Sequence, residues 1–125
     1  MKILAVDTTT ERESVAFVES GVVEGEVRLR TVDGHSRRLM PAIASLLEAM
    51  GRSVLEVEGY AVTVGPGSFT GLRVGLGTVQ GLALAASRPC LGVCTLDVLA
   101  ATVAGEAPAL AAVLDGAREG QVFTA

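Results

Sequence analysis

An apolar strand, a glycine-rich turn and a long helix follow one another between Val57 and Ala86, and this succession limits the fold more than any other feature. The segment from Val57 to Val64 is mostly apolar, which favours a strand. The run Gly65-Pro66-Gly67-Ser68-Phe69-Thr70-Gly71 comes next, and apolar residues then recur at helical spacing from about Thr70 to Ala86. Strands that alternate with helices in this way are typical of α/β domains.

Three strands are predicted ahead of this unit. Ile3 to Val6 is a continuous apolar run that ends at Asp7, as in a strand buried on both faces. The runs 14–18 and 22–29 flank Glu19-Ser20-Gly21, whose turn-forming residues indicate a hairpin. The second of these runs alternates apolar and charged residues, which places one charged face in water; the charged residues are Glu24, Glu26, Arg28 and Arg30.

The remaining elements complete a mixed sheet. A helix is predicted over 35–51, with Ser36 as its cap, Gly51 at its end, and a late start or a bend at Pro41. A short buried strand at 91–94, a helix at about 96–104 and strands at 109–114 and 121–124 follow. The prediction is one α/β domain over 1–125, a mixed sheet with an antiparallel opening meander and flanking helices.

Charge and composition exclude several classes of function. The 125 residues include ten basic and fourteen acidic side chains, a net charge of −4, which argues against unaided tight binding of nucleic acid. Cys90, Cys94 and the single His35 are too few for a zinc site, and the cysteines are expected to be reduced and buried. With too few apolar residues before Asp7 for a signal peptide and no stretch that would span a membrane, the chain is expected to be cytoplasmic.

Two segments could together hold a phosphate. Gly65, Gly67 and Ser68 free main-chain N–H groups at a helix start, and Asp7, Thr8 and Thr9 at a strand end could hold hydrated magnesium. No lysine of the Walker type accompanies the glycines. The alternative is structural: a strand-to-helix turn capped by Ser68 or Thr70, and a β-turn at Asp7. His35 is better explained as a helix cap or a surface residue than as a catalytic group. Cys94 is better explained as a structural thiol than as a nucleophile.

The helix over 70–86 carries apolar residues on two rows, one through Leu72 and Leu76 and one through Val74 and Leu82. We expect one row to face the sheet and the other to face a second molecule, although burial of both within the same domain is the alternative. Helix 35–51 is expected to lie beside it on one sheet face. The predicted partner interface comprises Leu39, Ile43, Leu46, Leu72, Leu76, Val79 and Ala83.

The segment from Gly65 to Gly75, with Gln80-Gly81-Leu82-Ala83 after it, resembles the signature of the bacterial TsaB (YeaZ) family of tRNA threonylcarbamoyladenosine biosynthesis proteins, which are glycoprotease-like (peptidase M22) homologues. Segments 3–8, 35–41, 92–96 and 117–123 are similar in content and order. The resemblance implies an actin-like ATPase (ribonuclease H-like) fold. It also implies that these residues form the N-terminal half of a longer family chain.

The resemblance further implies a non-catalytic scaffold that binds the catalytic paralogue TsaD. With the ATPase TsaE, that complex modifies the adenosine beside the tRNA anticodon. The catalytic paralogue carries a His-x-x-x-His metal motif, and Thr95 and Leu99 stand at the matching positions here. No metal, no cofactor and no peptidase activity are therefore expected of this chain, with weak ATP and magnesium binding at the complex interface at most. tRNA would be reached only through the complex, and a homodimer is an option.

A rival function belongs to another class. An ATP-binding enzyme of the actin-like kinase type would use Asp7 and the threonines Thr8 to Thr10 to hold ATP and magnesium. Calorimetry with ATP and magnesium separates this enzyme from the scaffold.

Overall fold

The computed structural model describes residues 1–31 and 37–103, together with the backbone of 113–115 and 122–124. Its elements in chain order are β1 (Lys2–Asp7), β2 (Arg12–Glu19), β3 (Val22–Arg30), α1 (Leu39–Ala49), a 3₁₀ turn (Val54–Glu56), β4 (Gly59–Gly65), α2 (Phe69–Ala86), β5 (Cys90–Cys94), α3 (Thr95–Val103), β6 (Val113–Asp115) and β7 (Val122–Thr124). The predicted order of strands and helices is confirmed.

The opening meander forms as predicted. β1 pairs antiparallel with β2, and β2 pairs antiparallel with β3. Ser20 and Gly21 form the two-residue turn between β2 and β3 with φ values of 52° and 77°. Two consecutive positive φ angles suit the right-handed twist of a hairpin, which explains why this short segment reverses the chain.

The five-stranded sheet has the order β3-β2-β1-β4-β5 and is mixed, because β4 is parallel to both β1 and β5. The expectation of a buried strand at 91–94 is wrong: β5 is an edge strand and Leu91 is 66% exposed. The cysteines are not buried thiols either, since Cys90 is exposed and Cys94 half-buried. A strand with a neighbour on one side only leaves its apolar residues partly in water.

The main core lies between one sheet face and the two helices α1 and α2, as predicted. Alternate residues of the strands supply Leu4, Val6, Val15, Phe17, Tyr60 and Val62, and the helices supply Leu39, Ala42, Ile43, Leu46, Leu47, Val79 and Ala83. Since successive strand residues point to opposite faces, this alternation assigns the other face to Ala5, Ala16 and Ala61. Val98 and Leu99 of α3 and these alanines line a groove of about 460 Å³.

Helix α1 begins later than the sequence indicates. Its N-cap residue is Arg38, which makes no side-chain capping bond, so Ser36 is not the cap; Ser36 itself is outside the described residues. Pro41 falls in the first turn, where its missing N–H removes no helical hydrogen bond. Gly51 follows the helix with φ of 65°, the predicted glycine stop.

The chain's last two described strands stand apart from the main sheet. β6 and β7 pair antiparallel in a two-stranded sheet of their own. They fall within the strands predicted at 109–114 and 121–124, apart from Asp115. No helix in the described residues is long and apolar enough to cross a membrane.

Candidate functional site

Asp7 is the polar end of β1, where the sequence predicts a phosphate or magnesium site. Its Oδ1 accepts hydrogen bonds from the Thr9 main-chain N–H (3.0 Å), the Thr9 hydroxyl (2.7 Å) and the Thr63 hydroxyl on β4 (2.9 Å). A carboxylate that accepts several donors is held in a fixed orientation. Asp7 therefore links the ends of two neighbouring parallel strands and shapes the turn that follows β1.

Thr8 is fully buried beneath the first turn of α2. Its hydroxyl donates to the main-chain carbonyl of Gly71 over 2.7 Å. Gly75 lies one turn further along, and a Cβ there would collide with the Thr8 hydroxyl. A glycine at this position is needed because the helix backbone approaches β1 too closely for any side chain.

The glycine-rich turn packs on the segment after β1. Ser68 donates its main-chain N–H to the Thr9 carbonyl (2.8 Å), and its side-chain oxygen caps α2 by accepting the Gly71 N–H (3.3 Å). A Cβ on Gly67 would stand 2.6 Å from Thr9 Cβ, so this position too has no room for a side chain. The capping role predicted for Ser68 is confirmed.

The structure thus brings five of the six residues of the predicted phosphate site together, Asp7, Thr8, Thr9, Gly67 and Ser68, whereas Gly65 at the end of β4 pairs with Cys94 of β5. The described hydrogen bonds of the Thr8, Thr9 and Ser68 side chains are made within the chain. Gly67 lies against Thr9 at the closest point. This arrangement locks the β1 end to the α2 start, and a phosphate there would have to displace those bonds.

The side of α2 that faces the sheet forms a line of small and medium-sized residues along the helix. Its buried positions are Gly71, Gly75, Val79 and Ala83, four residues apart in each case. Because the glycines bring the helix backbone close to β1 and β4, residues on both sides of the line, including Val74, Leu76 and Leu82, pack on the same core. Both rows therefore contribute residues to this core, and the predicted division into one row that faces the sheet and one that faces a second molecule is wrong; α2 is not enclosed within the domain either, because Phe69 and Leu84 are exposed.

Most of the predicted interface residues lie inside the domain. Leu39, Ile43, Leu46, Val79 and Ala83 are each at most 3% exposed, so a docking partner would not touch them. Leu72 and Leu76 are half-buried, and Leu76 packs against the core. The prediction failed because periodicity identifies an apolar face of a helix without stating which molecule covers it.

The exposed face of α2 is a different set of residues. Phe69 is 70% exposed and Leu84 is 82% exposed, and the Arg73 guanidinium carbon lies 5.4 Å from the centre of the Phe69 ring. Between them, a Cβ built on Gly77 or Gly81 would meet no atom of a described residue within 4 Å. We call Phe69, Arg73, Gly77, Gly81 and Leu84 the outer face of α2. In the sequence, this face could have been recognised from Gly77 and Gly81, which are four residues apart, and from Leu84, which follows at helical spacing.

Helix α3 carries the two positions where the resemblance implies missing imidazoles. Thr95 is 2% exposed, and its hydroxyl has no hydrogen-bond partner among the described residues. Leu99 follows one turn later and is half-buried against the satellite cluster around Leu96. A hydroxyl and an aliphatic side chain make a poor ligand pair for iron or zinc. His35 lies outside the described residues.

Comparison with known proteins gives the family. A family model described as TsaD, tRNA N6-adenosine threonylcarbamoyltransferase, matches residues 22–125. The chain belongs to this family. The resemblance to TsaB is confirmed as well: the tRNA threonylcarbamoyladenosine biosynthesis protein TsaB of Escherichia coli (strain K12) is 43% identical over 100 residues, which cover 80% of this chain and 43% of that protein. TsaB of Bacillus subtilis (strain 168) is 34% identical over 124 residues, 99% of this chain and 54% of that protein.

Solved structures agree with this assignment. YeaZ from Pseudomonas aeruginosa superposes with a TM-score of 0.85 at 34% identity, over 99% of this chain and 64% of that one. RuvC of Thermus thermophilus, at 16% identity and a TM-score of 0.56 over 85% of this chain and 71% of that one, shares the fold alone. The actin-like, ribonuclease H-like fold is confirmed. The chain spans about half the length of the TsaB proteins that it matches.

Proposed function

We propose that this chain is a non-catalytic scaffold subunit in the biosynthesis of threonylcarbamoyladenosine in tRNA, and that it acts by binding a transferase of the TsaD type. Two named relatives are TsaB biosynthesis proteins, and the matching family model is described by the transferase. The proposal is therefore supported by the shared family, by the relatives that are named as TsaB biosynthesis proteins, and by the surface described next.

The observation that carries the proposal is the outer face of α2. Phe69 and Leu84 expose large apolar side chains in water, and Gly77 and Gly81 between them leave the helix backbone uncovered. Each glycine costs the helix about 1 kcal/mol relative to alanine, and no contact with another described residue explains these two. A partner helix could approach the backbone at the glycines and bury Leu84 beside them.

The non-catalytic part of the proposal is supported by α3. Thr95 and Leu99 share one face of a helix, one turn apart, as a His-x-x-x-His pair would. Neither side chain is a ligand for iron or zinc at neutral pH. In this proposal the transferase partner supplies the metal chemistry and the chain contributes only binding surface.

The net charge of the chain and the hydrogen bonds around Asp7 bear on two further partners, tRNA and ATP. A net charge of −4 gives the chain little attraction for phosphate, so tRNA would bind through the complex. The hydrogen bonds among Asp7, Thr9 and Thr63 disfavour the rival ATP-binding enzyme, and we place any weak ATP and magnesium site at the interface with the partner. A TsaE-type ATPase would join that complex, in the cytoplasm.

Co-elution with a TsaD-type transferase tests the proposal. Leu84→Arg places a charge on the outer face of α2, and Leu55→Arg is the matched control because Leu55 is 80% exposed in the 3₁₀ turn, against 82% for Leu84. We expect the wild type and Leu55→Arg to co-elute with the transferase and Leu84→Arg to elute alone. Co-elution of all three would contradict the assigned surface, and absence of binding by the wild type would contradict the function.

A further inference from the structure

Arg73 is the only charged residue of α2, and it is exposed on the outer face of that helix. No carboxylate of a described residue forms an ion pair with it. The sequence contains no Asp or Glu between Glu58 and Asp97, a stretch that includes the whole helix. In a chain with fourteen acidic and ten basic side chains, α2 is therefore a locally cationic element.

The Arg73 side chain is held by Phe69, which precedes it by one helical turn. The guanidinium carbon lies 5.4 Å from the centre of the Phe69 ring. At such a distance the face of an aromatic ring attracts a cation. This contact engages no oxygen atom, so the N–H groups of the guanidinium remain available to bind a carboxylate at both of its oxygens. Arg73 is thus oriented by its neighbour while its hydrogen-bond donors stay unused by that contact.

Docking on the outer face of α2 would remove this cation from water. Phe69 is 70% exposed and Leu84 is 82% exposed, and Arg73 lies between them along the helix. A partner that covers both apolar side chains therefore covers the guanidinium as well. Burial of an arginine costs free energy unless an opposite charge meets it. Because α2 contains no acid, the partner has to supply that charge.

We propose that the partner on the outer face of α2 places an Asp or Glu carboxylate against Arg73, and that this ion pair determines which partner helix is accepted. The inference rests on the proposed function, since it concerns the same surface and the same TsaD-type transferase. An arginine and a carboxylate pair through parallel N–H···O bonds that fix their relative orientation. A helix with an apolar or basic residue at this point would leave a buried charge unpaired and would be rejected.

The opposing interpretation is that Arg73 only shields the Phe69 ring from water. Arginine side chains commonly cover apolar surface, and an exposed cation–π contact stabilises a helix without any partner. In that case, Arg73 would contribute to the folding stability of this chain and have no effect on the choice of partner. The two interpretations are separated by exchanging charges on the partner, because shielding of Phe69 does not depend on the partner's acids.

Calorimetric titration with a TsaD-type transferase tests the importance of the charge. Arg73→Gln leaves the partner's carboxylate without a cation and should weaken binding about thirtyfold or more, and Arg73→Glu should weaken it further. Arg12→Glu is the matched control, because Arg12 is also exposed, forms no ion pair with a described carboxylate, and lies on β2 at the sheet face opposite α2. It should bind like the wild type. Wild-type affinity in Arg73→Glu would overturn this proposal alone, whereas absence of binding by the wild type would contradict the proposed function.

Charge exchange between the two proteins identifies the acid and does not depend on how Arg73 affects stability. Exposed Asp and Glu residues of the transferase are replaced by Arg one at a time, and each variant is titrated with the wild type and with Arg73→Glu. One replacement should weaken binding of the wild type and strengthen binding of Arg73→Glu, by about tenfold in each case. Such a rescue also shows that Arg73→Glu is folded. If no replacement restores binding to Arg73→Glu, no carboxylate faces Arg73 and the proposal is wrong.

Discussion

The Thr8 hydroxyl donates a hydrogen bond to the main-chain carbonyl of Gly71 over 2.7 Å and thereby joins the end of β1 to the first turn of α2. Thr8 is fully buried, so water is not available to replace this bond. The two groups are 63 residues apart in the chain, and the bond forms only when the sheet and the helix have met.

Loss of the Thr8 hydroxyl should destabilise the domain. Thr8→Val keeps the shape but removes this bond; because the Gly71 carbonyl still accepts the Gly75 N–H within α2, the loss should cost about 0.5–1.5 kcal/mol of unfolding free energy. Thr8→Ser keeps the donor and loses a methyl group, and it should retain more stability than Thr8→Val. Urea unfolding of the three proteins measures the difference; a Thr8→Val protein as stable as the wild type would show that the bond contributes nothing.

Substitution of alanine for two glycines of α2 should change the stability of the domain in opposite directions. Gly75→Ala drives a Cβ into the Thr8 hydroxyl, and overpacking of this kind costs about 1–3 kcal/mol. Gly77→Ala enters open space and should gain about 1 kcal/mol from helix propensity. The midpoint of thermal unfolding should fall for the first variant and rise for the second. Shifts of the same sign would contradict the account of how α2 packs.

Glu56 should make the domain sensitive to acid. Its carboxylate accepts the Ser53 N–H (2.7 Å) and an Arg52 guanidinium N–H (3.2 Å), and these bonds hold the pKa of Glu56 below its ordinary value of 4.5. A pKa lowered by folding adds stability above the unfolded-state value, and that stability is lost as the pH falls below it. Between about pH 6 and pH 3, the wild type should lose more stability than Glu56→Gln does.

The control for this measurement is Glu48→Gln, at an exposed position of α1. It should follow the wild-type pH profile. A Glu56→Gln profile that also matches the wild type would mean that the capping carboxylate does not titrate with folding.

Tyr60 should tolerate loss of its hydroxyl. The residue is 2% exposed, its hydroxyl has no hydrogen-bond partner among the described residues, and burial raises the pKa of the phenol. Removal of a buried polar group without a partner avoids its desolvation cost, so Tyr60→Phe should be neutral or about 1 kcal/mol more stable. Chemical denaturation checks this, and a clear loss of stability would reveal a partner for the hydroxyl in solution.

The order of elements and the sheet class could be read from the sequence because they depend on local patterns. The Ser20-Gly21 turn, the Gly51 stop and the Ser68 cap are signals carried within a few residues. The start of α1 was less predictable, since Ser36 looked like a cap and the helix begins only after Arg38.

The site was predicted only in part, for a physical reason. Asp7, Thr8 and the glycines were recognised as special residues, but their hydrogen bonds join segments that are distant in the sequence. The buried line of α2 passes through Gly71 and Gly75, which a hydrophobicity pattern does not mark as core. The leucines that the pattern does mark lie beside that line, and the exposed Phe69 and Leu84 were consequently missed.

Binding to a TsaD-type transferase, measured by isothermal titration calorimetry with the wild type and with Gly77→Ala/Gly81→Ala, tests the central claim most directly. The two methyl groups would meet nothing within 4 Å in the part of the chain that the structure describes, but they fill the gap that a partner helix would use. We predict a rise in thermal stability together with affinity weakened about tenfold, or 1.4 kcal/mol. Unchanged affinity in the more stable variant would contradict docking through the outer face of α2.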